Sequence, residues 1–365
     1  MRKLTQAAIL FALAGIALGE GKGWPLFQGD ARRTGLTTGE GPDKWKKRWV
    51  VEGNFGNYDA PGFVVGTDGS VCTVVETNFS DGFALFSWDA AGKARWSCKL
   101  PDDSLAVPAF APDGGVVVGL LDGTVIKVKA DGTLAWATAT KGPVSSSAAF
   151  AADGTVYIGS RDNSLYALDP MGGRRWNFAT NGWVTAAPAL APDGTIYVAS
   201  WDGRLYALTP EGKETWRAQT PRPITACPVV ASDGTIYLAG QDGALRAFTP
   251  AGAEIWKVQT DGWLPFPPCL DPSGNILFSS NDSFLRSLSP KGEELWRLQV
   301  DQPNAAPVCD AKGRTYLLAN DELLVVKPDG KVLWKRPGAQ SEAIALGADG
   351  TLYLQGTRFL YAVHE

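Results

Sequence analysis

Eight tryptophans recur at a near-constant interval, each interval holds several short runs rich in β-branched and aromatic residues, and Asp-Gly-type pairs punctuate those runs. Together these predict an all-β fold, an eight-bladed β-propeller of four-stranded antiparallel blades. The tryptophans are Trp49, Trp96, Trp136, Trp176, Trp216, Trp256, Trp296 and Trp334, spaced 47, 40, 40, 40, 40, 40 and 38 residues apart. A four-stranded sheet of this size cannot cover its own faces. Radial stacking lets each sheet cover the next, and closing the ring leaves only short edges.

Composition agrees with an ordered, turn-rich protein. Of 365 residues, 45% are hydrophobic and 20% charged, and 42 Gly plus 24 Pro leave room for many turns. A single histidine excludes Ser-His-Asp or Cys-His catalysis and multi-histidine metal sites in practice. That residue, His364, is expected at a strand end without a catalytic role. The net charge of −4 provides no broad cationic footprint for nucleic acid.

Residues 1–19 read as an export signal: Met1-Arg2-Lys3 is basic, Ala7 to Leu18 is apolar, and small residues precede Glu20. The apolar run is shorter than the roughly 20 residues a membrane span needs. Cleavage after Gly19 would remove Arg2 and Lys3, so 32 cationic and 38 acidic residues would leave −6. Glu20 stands where a bacterial lipid anchor needs cysteine, so a soluble periplasmic or extracellular protein is expected.

Residues 20–47 form an N-terminal lead-in segment, and 48–365 the propeller. Within the repeat, blade four illustrates the pattern. Its strands are expected at Val184–Leu190, Thr195–Ser200, Leu205–Leu208 and Thr215–Gln219, with turns at Asp193-Gly194, Asp202-Gly203 and Glu211-Gly212. Seven such blades end at Trp96 through Trp334. The eighth has three strands of its own, at 343–346, 352–355 and 359–363. Its fourth is expected from residues 48–52, which carry the spare Trp49. The docking tryptophans, Trp176, Trp216 and Trp256 among them, are expected to be almost fully buried between blades, each indole N–H on a backbone acceptor.

The five cysteines, Cys72, Cys98, Cys227, Cys269 and Cys309, are odd in number and irregular in spacing, with no CxxC pair. Small buried apolar roles are expected. A Cys72–Cys98 bridge is the alternative, because the two are close in sequence.

The runs from Ala167 to Trp176, Ala207 to Trp216 and Ala247 to Trp256 resemble the tryptophan-docking motif of the pyrroloquinoline-quinone (PQQ) repeat family. The segment from Trp24 to Gly35 is similar to the leading motif of exported PQQ-like repeat proteins. The turn before each glycine is one residue shorter than in the quinoprotein dehydrogenases and looks more like the cofactor-free bacterial propellers. The likeness covers about residues 24–365. WD40 repeats, the rival at this period, would show Gly-His pairs. They would also place Trp-Asp at strand ends, whereas Trp88-Asp89 and Trp201-Asp202 sit at different points of their repeats.

In the dehydrogenases of that family, adjacent cysteines and a tryptophan sandwich PQQ, carboxylates and amides hold calcium, and an aspartate is the base. This chain has no adjacent cysteines and no long insertion to roof a pocket, so no cofactor is expected. Asp162, Asp202, Asp242 and Asp282 recur at one turn of successive blades, and turn chemistry explains them better than a shared calcium.

Binding remains. In a propeller, the loops leading into blades and those between second and third strands share one face, and there the repeat degenerates most. Trp183, Trp263, Phe266, Arg222, Asn54, Phe55, Asn57 and Tyr58 fall on the first kind of loop. Arg161, Trp201 and Gln241 fall on the second. Trp183, Trp201, Trp263, Phe266, Arg161, Arg222 and Tyr58 are the candidate partner face, since aromatic and arginine side chains dominate hot spots. The resemblance to BamB-like propellers implies a protein partner, in a scaffold of the cell envelope. The alternatives are a quinoprotein dehydrogenase and an extracellular glycan-binding module. A monomer with no nucleic-acid partner and no membrane span is expected.

Overall fold

The computed structural model describes residues 26–55, 62–78, 82–339 and 341–364, which contain eight four-stranded antiparallel sheets and no helix. No helix among them could cross a membrane. The proposed export signal lies outside the described residues. The first strands of neighbouring blades approach one another, those of blades six and seven for example, so they line the axis and the fourth strands form the rim. Eight blades close the ring as an eight-bladed β-propeller.

Blade four runs Ala189–Leu190, Ile196–Ala199, Arg204–Leu208 and Glu214–Gln219. Its first strand is shorter than the expected run from Val184. Residues 184–188 belong to the preceding loop, where the Val184 N–H is spent on the Ser160 carbonyl, and Pro188 has no N–H for a ladder. Blade one is the exception in length. Its second and third strands, Val71–Asn78 and Gly82–Trp88, form a tall hairpin that lengthens the first tryptophan interval.

Both chain ends build blade eight. Lys47–Glu52 pairs antiparallel with Phe359–Val363, with Trp49 opposite Ala362 and Val51 opposite Leu360. The eighth blade thereby has four strands like the others.

The repeated motif has a packing logic. In blade four, Trp216 lies opposite Ala207, which lies opposite Tyr197. The small alanine lets the flanking rings meet over it, with centroids 5.8 Å apart. Tyr157–Trp176 and Tyr237–Trp256 repeat the contact at 5.7 and 5.8 Å. Each indole then reaches the next blade. Trp176 donates to the Pro210 carbonyl at 3.0 Å, Trp216 to Pro250 at 2.8 Å and Trp256 to Pro290 at 2.9 Å. Trp96, Trp136 and Trp296 find Ala130, Pro170 and Pro328 in the same way. Trp49 donates to Ala90 of blade one at 3.0 Å, which carries the docking across the ring closure.

Two expectations about these tryptophans need correction. Trp176, Trp216 and Trp256 are half-buried, not almost fully buried, because they sit on fourth strands whose outer side faces solvent. Trp334 has no hydrogen-bond acceptor for its buried indole N–H among the described residues. The acceptor in every other blade is the turn between third and fourth strands. In blade eight those strands are the two chain ends, so the turn does not exist.

The lead-in segment does not pack on the outside. Carbonyls of Ala31, Arg32, Thr34 and Gly35 accept from Leu190, Val230, Leu270 and Cys309, on the first strands of blades four, five, six and seven in turn. Those four residues precede the first hairpin turn of their blades, so the segment plugs the axis at the turn side. Arg33 is fully buried within it. Its guanidinium donates to carbonyls of Phe27 at 2.7 Å, Ala148 at 2.9 Å and Pro188 at 3.1 Å. Burial pulls its pKa down to about 10, still charged at neutral pH.

Candidate functional site on the loop face

Antiparallel order places the inter-blade loops and the loops between second and third strands at one end of the ring. Hydrogen bonds knit the two kinds together. Arg161 N donates to Pro143 O, Trp201 N to Trp183 O at 2.9 Å, and Asn281 N to Trp263 O at 2.9 Å. On the other side, Ile224 N donates to Ser200 O. The residues therefore run around the face in the order Arg161, Trp183, Trp201, Arg222, Gln241, Trp263.

Arg161, Trp183 and Trp201 form one cluster. The Arg161 guanidinium lies over the Trp183 ring at 5.5 Å, and Trp183 meets Trp201 at 5.1 Å with 54° between the ring planes. Trp183 keeps 43% of its surface exposed and Trp201 38%. The Trp201 ring and the Arg161 guanidinium on either side of Trp183 are held by hydrogen bonds. Trp201 Nε1 donates to Thr185 Oγ1 at 2.8 Å, and Arg161 Nε to Ser145 Oγ at 3.2 Å. Gln241 does the same one blade on, Nε2 to Thr225 Oγ1 at 3.3 Å. Positions 161, 201 and 241 thus share one frame contact while presenting different chemistry outward. Sequence reading missed the three hydroxyls, although their 40-residue spacing was visible.

Trp263 is the most exposed of the aromatics, at 58%. No ring contact joins it to the Trp183–Trp201 pair among the described residues. Phe266 beside it is half-buried, and Arg222 is exposed. Asn57 and Tyr58 lie outside the described residues. Phe55 needs correction: it is 1% exposed and packs 6.1 Å from Trp88 in the core between blades eight and one. Asn54 turns to Glu76 at 2.7 Å, bracing the tall hairpin of blade one.

The recurring turn acids are engaged locally. Asp162 and Asp202 accept from the hydroxyls of Tyr166 and Tyr206 at 2.5 and 2.6 Å, and also from backbone N–H groups of Lys141 and Asn181. Burial and the Asp162 hydrogen bond push Tyr166 up to about 12. In blades five and six an arginine replaces the tyrosine, so Asp242 and Asp282 pair bidentately with Arg246 and Arg286. These contacts support the turn-residue reading. The one histidine, His364, sits at the end of the last strand with Nε2 3.0 Å from the Asp349 carbonyl.

All five cysteines are free. The alternative Cys72–Cys98 bridge fails on topology. Cys72 pairs with Ser87 on one side of the third strand of blade one, and Cys98 with Leu85 on the other. Two strand spacings separate them by roughly 9–10 Å, beyond the ~7 Å Cα limit for a disulfide.

A family profile of PQQ-like repeats, described as outer membrane protein assembly factor BamB, matches residues 34–177 and again 121–262, more than half the chain. The chain belongs to this family. Solved structures share the family's fold. BamB from Moraxella catarrhalis is 17% identical, with a TM-score of 0.71 over 88% of this chain and 98% of its own. A europium-containing methanol dehydrogenase is 12% identical, at 0.74 over 92% and 89%. The quinohemoprotein alcohol dehydrogenase from Comamonas testosteroni is 14% identical, at 0.75 over 94% and 81%. No curated protein matches the sequence significantly. The fold is thus shared with BamB and with dehydrogenases, and it decides nothing about chemistry.

The described residues offer little to hold PQQ and calcium. Among those described, no group of three or more His, Cys, Asp or Glu is placed to share a metal ion. No two cysteines are adjacent to stack on a quinone. The turn side of the axis is filled by the chain's own residues 31–39.

Proposed function

We propose that this chain is an exported, non-catalytic propeller that holds a protein partner on its loop face. Export, read from residues 1–19, is part of this proposal. The observation that carries it is the cluster of Arg161, Trp183 and Trp201: two large exposed rings in contact, with Trp201 and Arg161 on either side of Trp183 fixed by frame hydrogen bonds. Rigid aromatics give contact area at low entropic cost. Arg222, Trp263 and Phe266 extend the contact along the same face. Membership of a family described by an assembly factor supports a protein as the partner. The poor fit of PQQ and calcium supports the absence of catalysis.

The test is a variant carrying Trp183→Ala, Trp201→Ala and Trp263→Ala, first shown to melt like the unmodified protein. Cross-linking in the envelope fraction of the producing cell should then lose the partners that the unmodified chain captures. Full retention of the same partners would overturn the assignment of the face. Reconstitution with PQQ and calcium should leave the absorbance spectrum unchanged, and a stoichiometric quinone band would overturn the non-catalytic reading.

A further inference from the structure

Resting on that reading, we infer that the sector of the loop face over blades three to five recognises an acidic, extended protein segment carrying a bulky apolar side chain. Arg161 and Arg222 form no ion pair among the described residues, and the exposed Lys141 beside them has none either. Most other arginines have an anion: Arg95, Arg175, Arg217, Arg246, Arg286 and Arg314 all pair with carboxylates. The carboxylates nearest the sector, Asp162 and Asp202, are turned onto tyrosine hydroxyls and backbone N–H groups. Elsewhere on the face, a cleft over blades six and seven is lined by Asp301 and Asp321 and by Glu322 paired with Lys335.

Shape selects between polymer classes. The Trp183 and Trp201 rings touch and are inclined at 54°, so they do not form a flat shelf. A sugar chain stacks best on coplanar rings set side by side. Inclined exposed rings suit a single apolar or aromatic side chain packed edge to face. The Arg161 Nη atoms, free of frame contacts because only Nε holds Ser145, are left to fork onto a carboxylate beside that side chain.

The test uses the full chain and an array of short peptides. Each carries one Phe, Trp or Leu flanked by Asp and Glu, beside copies with Asn and Gln or with Lys in place of the acids. Hits are measured in solution by fluorescence anisotropy. The acidic peptides should bind, and their amide copies should bind about tenfold more weakly, the scale of a charge-assisted hydrogen bond. Arg161→Gln with Arg222→Gln should abolish that difference. Glutamine at 161 keeps the frame contact, since Gln241 already makes it at the equivalent position. Amide copies binding as tightly as the acids, arginine variants binding unchanged, or no peptide binding at all would each overturn the inference. Binding of acidic oligosaccharides alone, with the same arginine dependence, would overturn it in favour of a glycan. If acidic peptides still bind after Trp183→Ala and Trp201→Ala, the site lies elsewhere, and the partner-face reading itself fails.

Discussion

Trp216 and Trp334 occupy the same place in their blades and differ in one hydrogen bond. Trp216 donates to Pro250, whereas Trp334 has no acceptor among the described residues because the next blade lacks the receiving turn. Phe in place of Trp216 should therefore cost about 1 kcal/mol more than Phe in place of Trp334, the net worth of a typical hydrogen bond. Denaturant melts of the two variants check this, and equal losses would show that Trp334 has found another acceptor. Trp216→Ala should cost about 2–3 kcal/mol, below the range for fully buried aromatics, because half the ring already faces solvent. Trp183→Ala, on the loop face, should cost under about 1 kcal/mol. Gly212 shows the other half of the docking. Its φ is +80°, and a Cβ there would come 2.6 Å from the Trp176 ring. Gly212→Ala should accordingly lose about 2 kcal/mol or more, from backbone strain and the clash together.

The turn between first and second strands brings a recurring pH sensitivity. In blade three, Asp153 accepts from the Thr155 hydroxyl and backbone N–H and from Arg175, which together hold its pKa at about 2. The ordinary aspartate value is near 3.8. A carboxyl held low in the fold stabilises it above the ordinary value, and that contribution fades as pH falls from about 4 to about 2. Asp153→Asn should be slightly less stable than the parent at neutral pH, by under about 1 kcal/mol since the site is exposed and screened. The two thermal midpoints should converge near pH 2. A gap that persists there would mean that the turn depends on shape and not charge. Asp68 and Asp113 occupy the same turn in blades one and two and are also held low despite partial burial, through Ser70 with Arg95 and through Lys127.

Over the whole ring, residues 26–52 do two jobs: they plug the axis and they supply the closing strand. Removing 20–52 should empty the plug site and expose the edge of Phe359–Val363, so the shortened chain should melt earlier and aggregate. Removing only 20–43 separates the jobs, since it spares the closing strand. It should lower the melt while keeping the protein monomeric by light scattering. Arg33→Ala within the full chain should cost about 3 kcal/mol or more, because buried carbonyls of Phe27, Ala148 and Pro188 lose their donor. A full-length melt in the Arg33 variant would show that water replaces the guanidinium.

Blade number, strand pattern, ring closure by Trp49 and the turn role of Asp162 and Asp202 were all legible in the sequence. Each depends on local chemistry repeated at a fixed period, and repetition makes a weak local signal strong. Three-dimensional closure decided the rest. Trp334 reads like the other docking tryptophans, yet its acceptor is missing because a linear repeat has ends and a ring does not. Phe55 reads as an exposed loop aromatic, yet the seam between blades eight and one swallows it. The lead-in motif from Gln28 to Gly35 is turned on itself by local bonds, such as Gly35 N–H to the Gln28 carbonyl and Thr34 to Asp30. Its long-range contacts lie on blades three to seven, more than a hundred residues away, so only the assembled axis reveals what Arg33 is for. On the loop face the sequence marked Arg161, Trp183 and Trp201 as departures from the repeat. Their union into one cluster, and the exclusion of Trp263 from it, came from which loops the ring sets side by side.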